Sequence, residues 1–139
     1  MRTGRSQPFS IRLGEAAHLL VGDEARRTGR SRNAVVEELA EESAKMRLFP
    51  GIAFRGQPRR AWVIGTGLDV WEIVELVRAH GGAEVRIRKS HPALGERQLR
   101  LAQTYAERFP EEIAELADAA NRPVDDLLAV YPFLERGGG

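Results

Sequence analysis

The chain contains no cysteine, which excludes disulfides, thiolate nucleophiles and thiolate metal ligands and fits a reducing cytoplasm. It has no run of about 18 apolar residues, so no membrane-spanning helix is expected. Its first residues, MRTGRSQP, are basic but lack the apolar stretch of a secretory leader. Histidine is scarce: His18, His80 and His91 stand far apart, and none has a metal-ligand spacing to another histidine. The Gly-Thr-Gly at 65–67 lacks both the Lys-Ser/Thr of a P-loop and the third glycine of a dinucleotide fingerprint, so it reads as a turn. No serine stands in a nucleophile elbow. Catalysis, cofactors and metals are therefore not expected.

What is present is a hydrophobic fraction of 42%, enough to build a core, in 139 residues, enough for one domain or two very small ones. The net charge of +1 hides a gradient. Residues 1–48 carry +2, residues 49–109 carry +4 and residues 110–139 carry −5. A basic body with an acidic end suits contact with a polyanion at one end and another partner at the other. Ordinary solvated helix faces would give the same gradient.

In QPFSIRLG, residues 7–14, Phe9, Ile11 and Leu13 alternate with Ser10 and Arg12, the pattern of a half-buried strand. No hairpin partner follows, and a lone strand leaves its backbone groups unpaired. Instead GEAAHLLVGDEARRTGRS places Ala17, Leu20, Val21 and Ala25 at helical spacing, weakened by Gly22 and closed by Gly29. Ser31 reads as the N-cap of a second helix, with Val35, Leu39 and Met46 on one face and Val36 and Ala40 alongside. A strand and two helices in about forty residues cannot enclose a core of their own. Two copies resolve the problem: the strands pair antiparallel and four helices close over the apolar side of the ribbon.

LFPGIAFRGQPRR reads as a turn-rich connection, with a domain boundary after residue 48. AWVI follows as a short strand. A helix then starts at Asp69, with Val70, Ile73, Val74 and Val77 inward, and ends at Gly81-Gly82. AEVRIRKS alternates, which favours a strand, with a single helical turn as the alternative. HPALGERQLRLAQTYAERF is helical, with Leu99, Ala102, Ala106 and Phe109 inward and Arg97, Arg100, Thr104 and Arg108 on another face. Pro110 opens a further helix, with Ile113, Leu116, Ala117 and Ala120 inward, and Pro123 opens a last short one.

A paired ribbon fits the major groove of B-DNA, and its polar face would present Ser10 and Arg12 to base edges. Arg12 has the fork for guanine O6 and N7, and the Ser10 hydroxyl donates or accepts. At the start of the second helix, free N–H groups at Arg32 and Asn33, beside Arg30 and Ser31, form a phosphate clamp. FSIRL…ARRTGRSRNAVVEELAEE closely resembles the ribbon-helix-helix DNA-binding proteins over about residues 7–47, with Pro8 standing where such proteins often carry a base-reading polar residue. The resemblance implies an intertwined homodimer, base reading by Ser10 and Arg12, and phosphate anchoring around Ser31 and Arg32.

The stretch FPGIAFRG…VIGTGLDVWEIVELVRAHGG…SHPALGERQLRLAQTYAERFPEEI resembles the small domain-of-unknown-function family four-three-three. Those are winged-helix-like antitoxin domains commonly paired with PIN-like ribonuclease toxins. Members usually carry Arg and Pro where this chain has Gly67 and Asp69. The resemblance implies a second helix-turn-helix-like surface on which Arg86, Arg88, Lys89, Arg97 and Arg100 meet phosphates; a solvated basic face is the alternative. Leu127, Leu128, Tyr131, Phe133 and Leu134 crowd the acidic end, either folding back on their own domain or lying in a groove of a toxin.

The expected fold is mainly α: a ribbon-helix-helix dimerisation domain at 1–48, then a small winged-helix or helix-turn-helix-like domain at 49–139 with one or two short strands. The expected function is a cytoplasmic, sequence-specific binder of double-stranded DNA, a homodimer or a higher oligomer built from it, that represses its own operon and neutralises a toxin nuclease. One rival is a regulator or DNA-partitioning protein without a toxin. Another is an interaction module whose ribbon serves only dimerisation.

Overall fold

The computed structural model describes residues 8 and 10–130, and of residues 122–130 the backbone alone. The chain divides after Pro50 into two units, two residues beyond the expected boundary.

The first unit holds α1 (Glu15–Thr28) and α2 (Arg32–Leu48). Gly29 ends α1 in the left-handed region, at φ 66°, and its N–H donates to the carbonyl of Ala25. A side chain is strained in that conformation, so glycine suits the stop. Two residues later Ser31 caps α2, its Oγ accepting the Ala34 N–H at 3.1 Å. The helices meet through Val21, Ala25 and Val35, with Leu13 and Val36 packed against them. Among the described residues, that is the apolar cluster of this unit. Leu20, Leu39 and Met46, expected inside, are 66%, 43% and 40% exposed, and Ile11 is 63% exposed. Ala17 and Ala40 also face solvent. Residues 10–14 carry no regular secondary structure. A strand is defined by its ladder, and the described residues of this unit offer residues 10–13 no strand partner; the Gly14 carbonyl accepts the His18 N–H at 2.9 Å as α1 begins. Phe9 lies outside the described residues.

The second unit opens with strands where a connection was expected. β1 (Ile52–Arg55), β2 (Arg60–Val63) and β3 (Leu68–Asp69) form an antiparallel meander in the order β1-β2-β3. Ile52 pairs with Val63, Arg55 with Arg60, and Trp62 with both Ala53 and Asp69. The turn residues misled: Pro50-Gly51 and Gly56–Arg59 bracket a four-residue strand, not a continuous loop. Three strands therefore stand where one or two were expected. Ile52, Ala61 and Val63 are buried, while Arg60 and Trp62, alternate residues of β2, are half-exposed. Between β2 and β3 the Gly-Thr-Gly is a turn, as its sequence indicated. Thr66 Oγ1 donates to the Val63 carbonyl at 2.7 Å and accepts the Leu68 N–H at 3.1 Å.

Four helices follow: α3 (Val70–Ala79), α4 (Glu84–Ser90), α5 (Glu96–Arg108) and α6 (Pro110–Val130). Val70 and Ile73 of α3, Leu99, Ala102 and Tyr105 of α5, and Ile113 of α6 make the core with Ile87 and Leu94. The AEVRIRKS segment is a helix, not the strand its alternation favoured. Ile87 is buried and Val85 is 80% exposed, so the two apolar residues do not share a face as strand alternation requires. The expected break at Pro123 is also corrected, because α6 runs unbroken through it. Proline forfeits one backbone hydrogen bond there, and the ladder on either side carries the helix across.

Asp69 ties the sheet to the helices. Its carboxylate accepts Arg55 Nε at 3.0 Å, Arg60 Nε at 2.7 Å and Trp71 Nε1 at 3.2 Å. It is also the N-cap of α3 in a capping box, and Glu72 returns the favour by accepting the Asp69 N–H at 2.9 Å. The Arg55 guanidinium lies over the Trp62 ring, 4.6 Å from its centroid. Burial penalises the charged carboxylate, but the hydrogen bonds and charges of Arg60 and Arg55 together outweigh that penalty and hold Asp69 below its ordinary pKa. At the other side of the unit the buried Tyr105 donates its hydroxyl to Glu112 at 2.6 Å, tying α5 to α6.

Because the Asp69 pKa is lowered by folding, its contribution is complete above the usual carboxyl range, near pH 4, and is lost as pH falls through the lowered value. Asp69→Ala is expected to cost the second unit about 2–3 kcal/mol at neutral pH, the worth of a cap plus hydrogen bonds to charged groups. Urea unfolding of both proteins at neutral and acid pH checks this; the gap should narrow in acid. Tyr105→Phe should cost about 1.5–3 kcal/mol in the same assay.

Candidate nucleic-acid interface

Ser10 and Arg12, the expected base readers, are exposed on the segment preceding α1. Arg12 has no ion pair or side-chain hydrogen bond among the described residues. Pro8, on the same alternation, is exposed as well.

Arg30, Ser31, Arg32 and Asn33 do converge at the start of α2, but they are not equally free. Ser31 Oγ is engaged as the cap. Arg30 pairs with Glu38 at 3.0 Å and reaches the Ala34 carbonyl at 3.4 Å. Asn33 is exposed. The N–H groups of Arg32 and Asn33 belong to the first helical turn, which leaves them without intrahelical acceptors. The Arg32 guanidinium turns back onto α1: Nη2 lies 2.9 Å from His18 Nδ1 and donates to the His18 carbonyl at 3.1 Å. The phosphate clamp read from the sequence therefore has its backbone donors, while both its guanidinium groups have acceptors inside the unit.

The sequence reading named His18 and Gly22 but gave neither a part in this cluster. A Cβ on Gly22 would stand 2.9 Å from Arg32 Nη1 and 3.5 Å from Arg26 Nη1, a crowding that a small movement of these flexible guanidinium ends relieves. A signal was available. Glycine inside a helix costs about 1 kcal/mol relative to alanine, and a glycine kept there implies a close approach.

In the second unit Arg86, Arg88 and Lys89 lie on α4 and Arg97 and Arg100 on α5, all exposed. Arg88 stands 3.8 Å from Glu84, and Arg100 pairs with Glu96. Arg86, Lys89 and Arg97 have no acidic partner among the described residues. On α5, Arg97, Arg100, Thr104 and Arg108 fall within one third of the helix circumference, opposite Leu99, Ala102 and Tyr105. A cleft of about 220 Å³ lies between the end of α3, α4 and α5, with Val77, Ile87 and Leu99 among its lining residues. That is below the roughly 300–1,000 Å³ of small-molecule sites.

No known protein family, curated protein or solved structure matches the chain.

The remaining expected residues fall at the end of α6 and beyond. Leu127 and Leu128 lie on its helical backbone, with side chains outside the described set, and Tyr131, Phe133 and Leu134 are outside the described residues. Two histidines have local roles. His80 Nδ1 donates to the Leu76 carbonyl at 2.8 Å at the end of α3, and His91 Nδ1 lies 3.0 Å from Ser90 Oγ. Among the described residues no cluster of three His, Cys, Asp or Glu is placed to hold a metal, and no helix is long and apolar enough to cross a membrane.

Ser31→Ala removes a cap and is expected to cost about 1 kcal/mol, whereas Glu38→Ala breaks an exposed pair and should cost under about 1 kcal/mol. Thermal unfolding of the two variants checks that ordering.

Proposed function

We propose that this chain acts as a homodimer that binds double-stranded DNA in a sequence-specific way, with the first unit working as a ribbon-helix-helix reader. The observation that carries the reading is the uncovered apolar surface of that unit: Ile11 on the segment before α1, Leu20 on α1, and Leu39 and Met46 on α2. Val35, Leu39 and Met46 lie on one stripe of α2, and α1 covers only its Val35 end. A second copy is the occupant that meets both needs at once, because it covers the stripe and supplies a strand partner for residues 10–13. The ribbon so formed would direct Ser10 and Arg12 away from the helices, into a major groove. The free N–H groups at Arg32 and Asn33 would then meet flanking phosphates.

For the second unit, the resemblance of its sequence to antitoxin domains extends the reading to an autorepressor that neutralises a PIN-like ribonuclease toxin. It would do so by occupying the toxin surface, with Leu127, Leu128, Tyr131, Phe133 and Leu134 as the contact segment. Arg86, Lys89 and Arg97, which have no acidic partner among the described residues, with Arg88 and Arg100 on the same two helices, support a second set of phosphate contacts.

Two experiments test the two levels of this reading. Leu39→Glu puts a charge in the middle of the dimer face, and sedimentation equilibrium should report a monomer where the parent chain sediments as a dimer. With a selected operator duplex, Arg12→Ala should lose about 1–3 kcal/mol of binding and relax base preference. A monomeric parent, or operator binding indifferent to Arg12, would refute the corresponding level.

A further inference from the structure

Ile52, Ala61 and Val63 turn one face of the sheet to the core, so the opposite face is set by the alternate residues Ala53, Arg55, Arg60 and Trp62. Trp62 stands directly across from Ala53 on one side and from Asp69 on the other. Asp69 lies beneath the two arginines, its side chain 4% exposed, and accepts the Nε–H of each. The guanidiniums therefore keep an outer edge, with side chains 36% and 32% exposed. Both are pinned: Arg55 Nη2 donates to the Gly67 carbonyl at 2.9 Å, and Arg60 Nη1 to the Pro58 carbonyl at 3.4 Å. Arg55 Nη1 and Arg60 Nη2 are left without an acceptor among the described residues. Arg55 lies over the half-exposed Trp62 ring, so a planar cation and an indole form one stack at the surface. Two guanidiniums share one carboxylate, which leaves a positive charge in excess, and Arg59 adds an exposed cation in the turn between the strands. Glu72, the next acid along the chain, accepts the Asp69 N–H.

We propose that this sheet face binds single-stranded nucleic acid: an unpaired base stacks against the Trp62–Arg55 pair, and the phosphates beside it meet the outer edges of Arg55 and Arg60. The two halves of the site match the two halves of a nucleotide. Every base has a π-face, and aromatic rings and guanidinium planes are the surfaces on which unstacked bases settle. The excess positive charge matches the phosphodiester. A duplex fits this face less well, because its bases are stacked on one another and closed to Trp62. An acidic polypeptide matches the charge but leaves the ring without a partner. Asp69 and the two backbone carbonyls hold the guanidiniums in place before any ligand arrives, so little side-chain freedom is lost on binding. The site lies within residues 53–71 and is independent of the duplex reading assigned to the first unit.

The chain has two tryptophans, Trp62 and Trp71, and both belong to this cluster, so their fluorescence reports on it. The full chain is titrated with oligothymidylate and oligouridylate of about twelve nucleotides, with a duplex of the same length and with poly-glutamate. Single strands should quench the tryptophans by stacking, and the tighter of the two names the sugar that the site takes. Trp62→Leu keeps an apolar side chain but no ring, and should weaken single-strand binding roughly tenfold, whereas Trp62→Phe should keep most of it. Arg60→Gln should lower the log–log salt slope by about 0.7, the share of one single-strand phosphate. Trp71→Phe leaves Trp62 as the sole reporter, and its quenching should persist, a result that stands even where a Trp62 or Arg60 variant unfolds. Duplex binding should be equal in the parent and in Trp62→Leu, which separates this site from the first unit. Single strands that leave the tryptophans unquenched, or that bind Trp62→Leu as tightly as the parent, would overturn the proposal. So would a duplex or poly-glutamate that quenches as strongly as the single strands, which would make the face a duplex or a protein contact.

Discussion

A pair of short helices cannot cover its own apolar surface. α1 and α2 meet through Val21, Ala25 and Val35, and that contact uses only part of the apolar stripe on α2. Leu39 and Met46 continue the stripe into solvent, and Leu20 on α1 and Ile11 before it add to the uncovered area. Apolar surface left in water costs roughly 25 cal/mol per Å². The proposed account of the first unit follows from that cost. On the proposed reading a second copy would relieve it, and the same act would give the 10–13 segment a strand partner and Ser10 and Arg12 a common outward face. Dimerisation and DNA reading would then be one structural event.

The second unit meets the same constraint within its own chain. Its sheet and helices enclose Ile73, Ile87, Leu94 and Tyr105, and its buried polar groups are paired. Asp69 does the joining: one carboxylate holds a hairpin arginine from each of two strands, an indole, and the start of α3. A buried carboxylate is costly unless it is hydrogen-bonded and charge-compensated, and here it is both. The arginines that satisfy it give up their inner N–H groups and keep only an exposed edge. Further cations open to outside contact are on α4 and α5, where Arg86, Lys89 and Arg97 lack acidic partners among the described residues.

Local signals were legible in the sequence wherever the deciding contact lay within one turn. Gly29 stops α1, Ser31 caps α2 and Asp69 caps α3 as their residue types imply. The readings that failed depended on distant partners or on pieces too short to show a period. β1 is four residues between turn formers, and its pairing with β2 is what makes it a strand. AEVRIRKS offers two apolar residues, which fit either period until Ile87 finds the core and Val85 does not. The cluster at the start of α2 was legible as residues but its internal pairing was not. Arg30 and Arg32 sit at the start of α2 as expected, yet Glu38 lies eight positions from Arg30 and His18 fourteen from Arg32, beyond the reach of a local pattern.

The central claim is that residues 10–13 pair with their own copy. Isotope-filtered NMR on an equal mixture of labelled and unlabelled chain tests it directly. The account predicts interchain contacts between the backbones of residues 10–13, together with contacts from Leu39 and Met46 to the partner's apolar residues. A chain that stays monomeric, or a dimer in which those backbone contacts are missing, would contradict it.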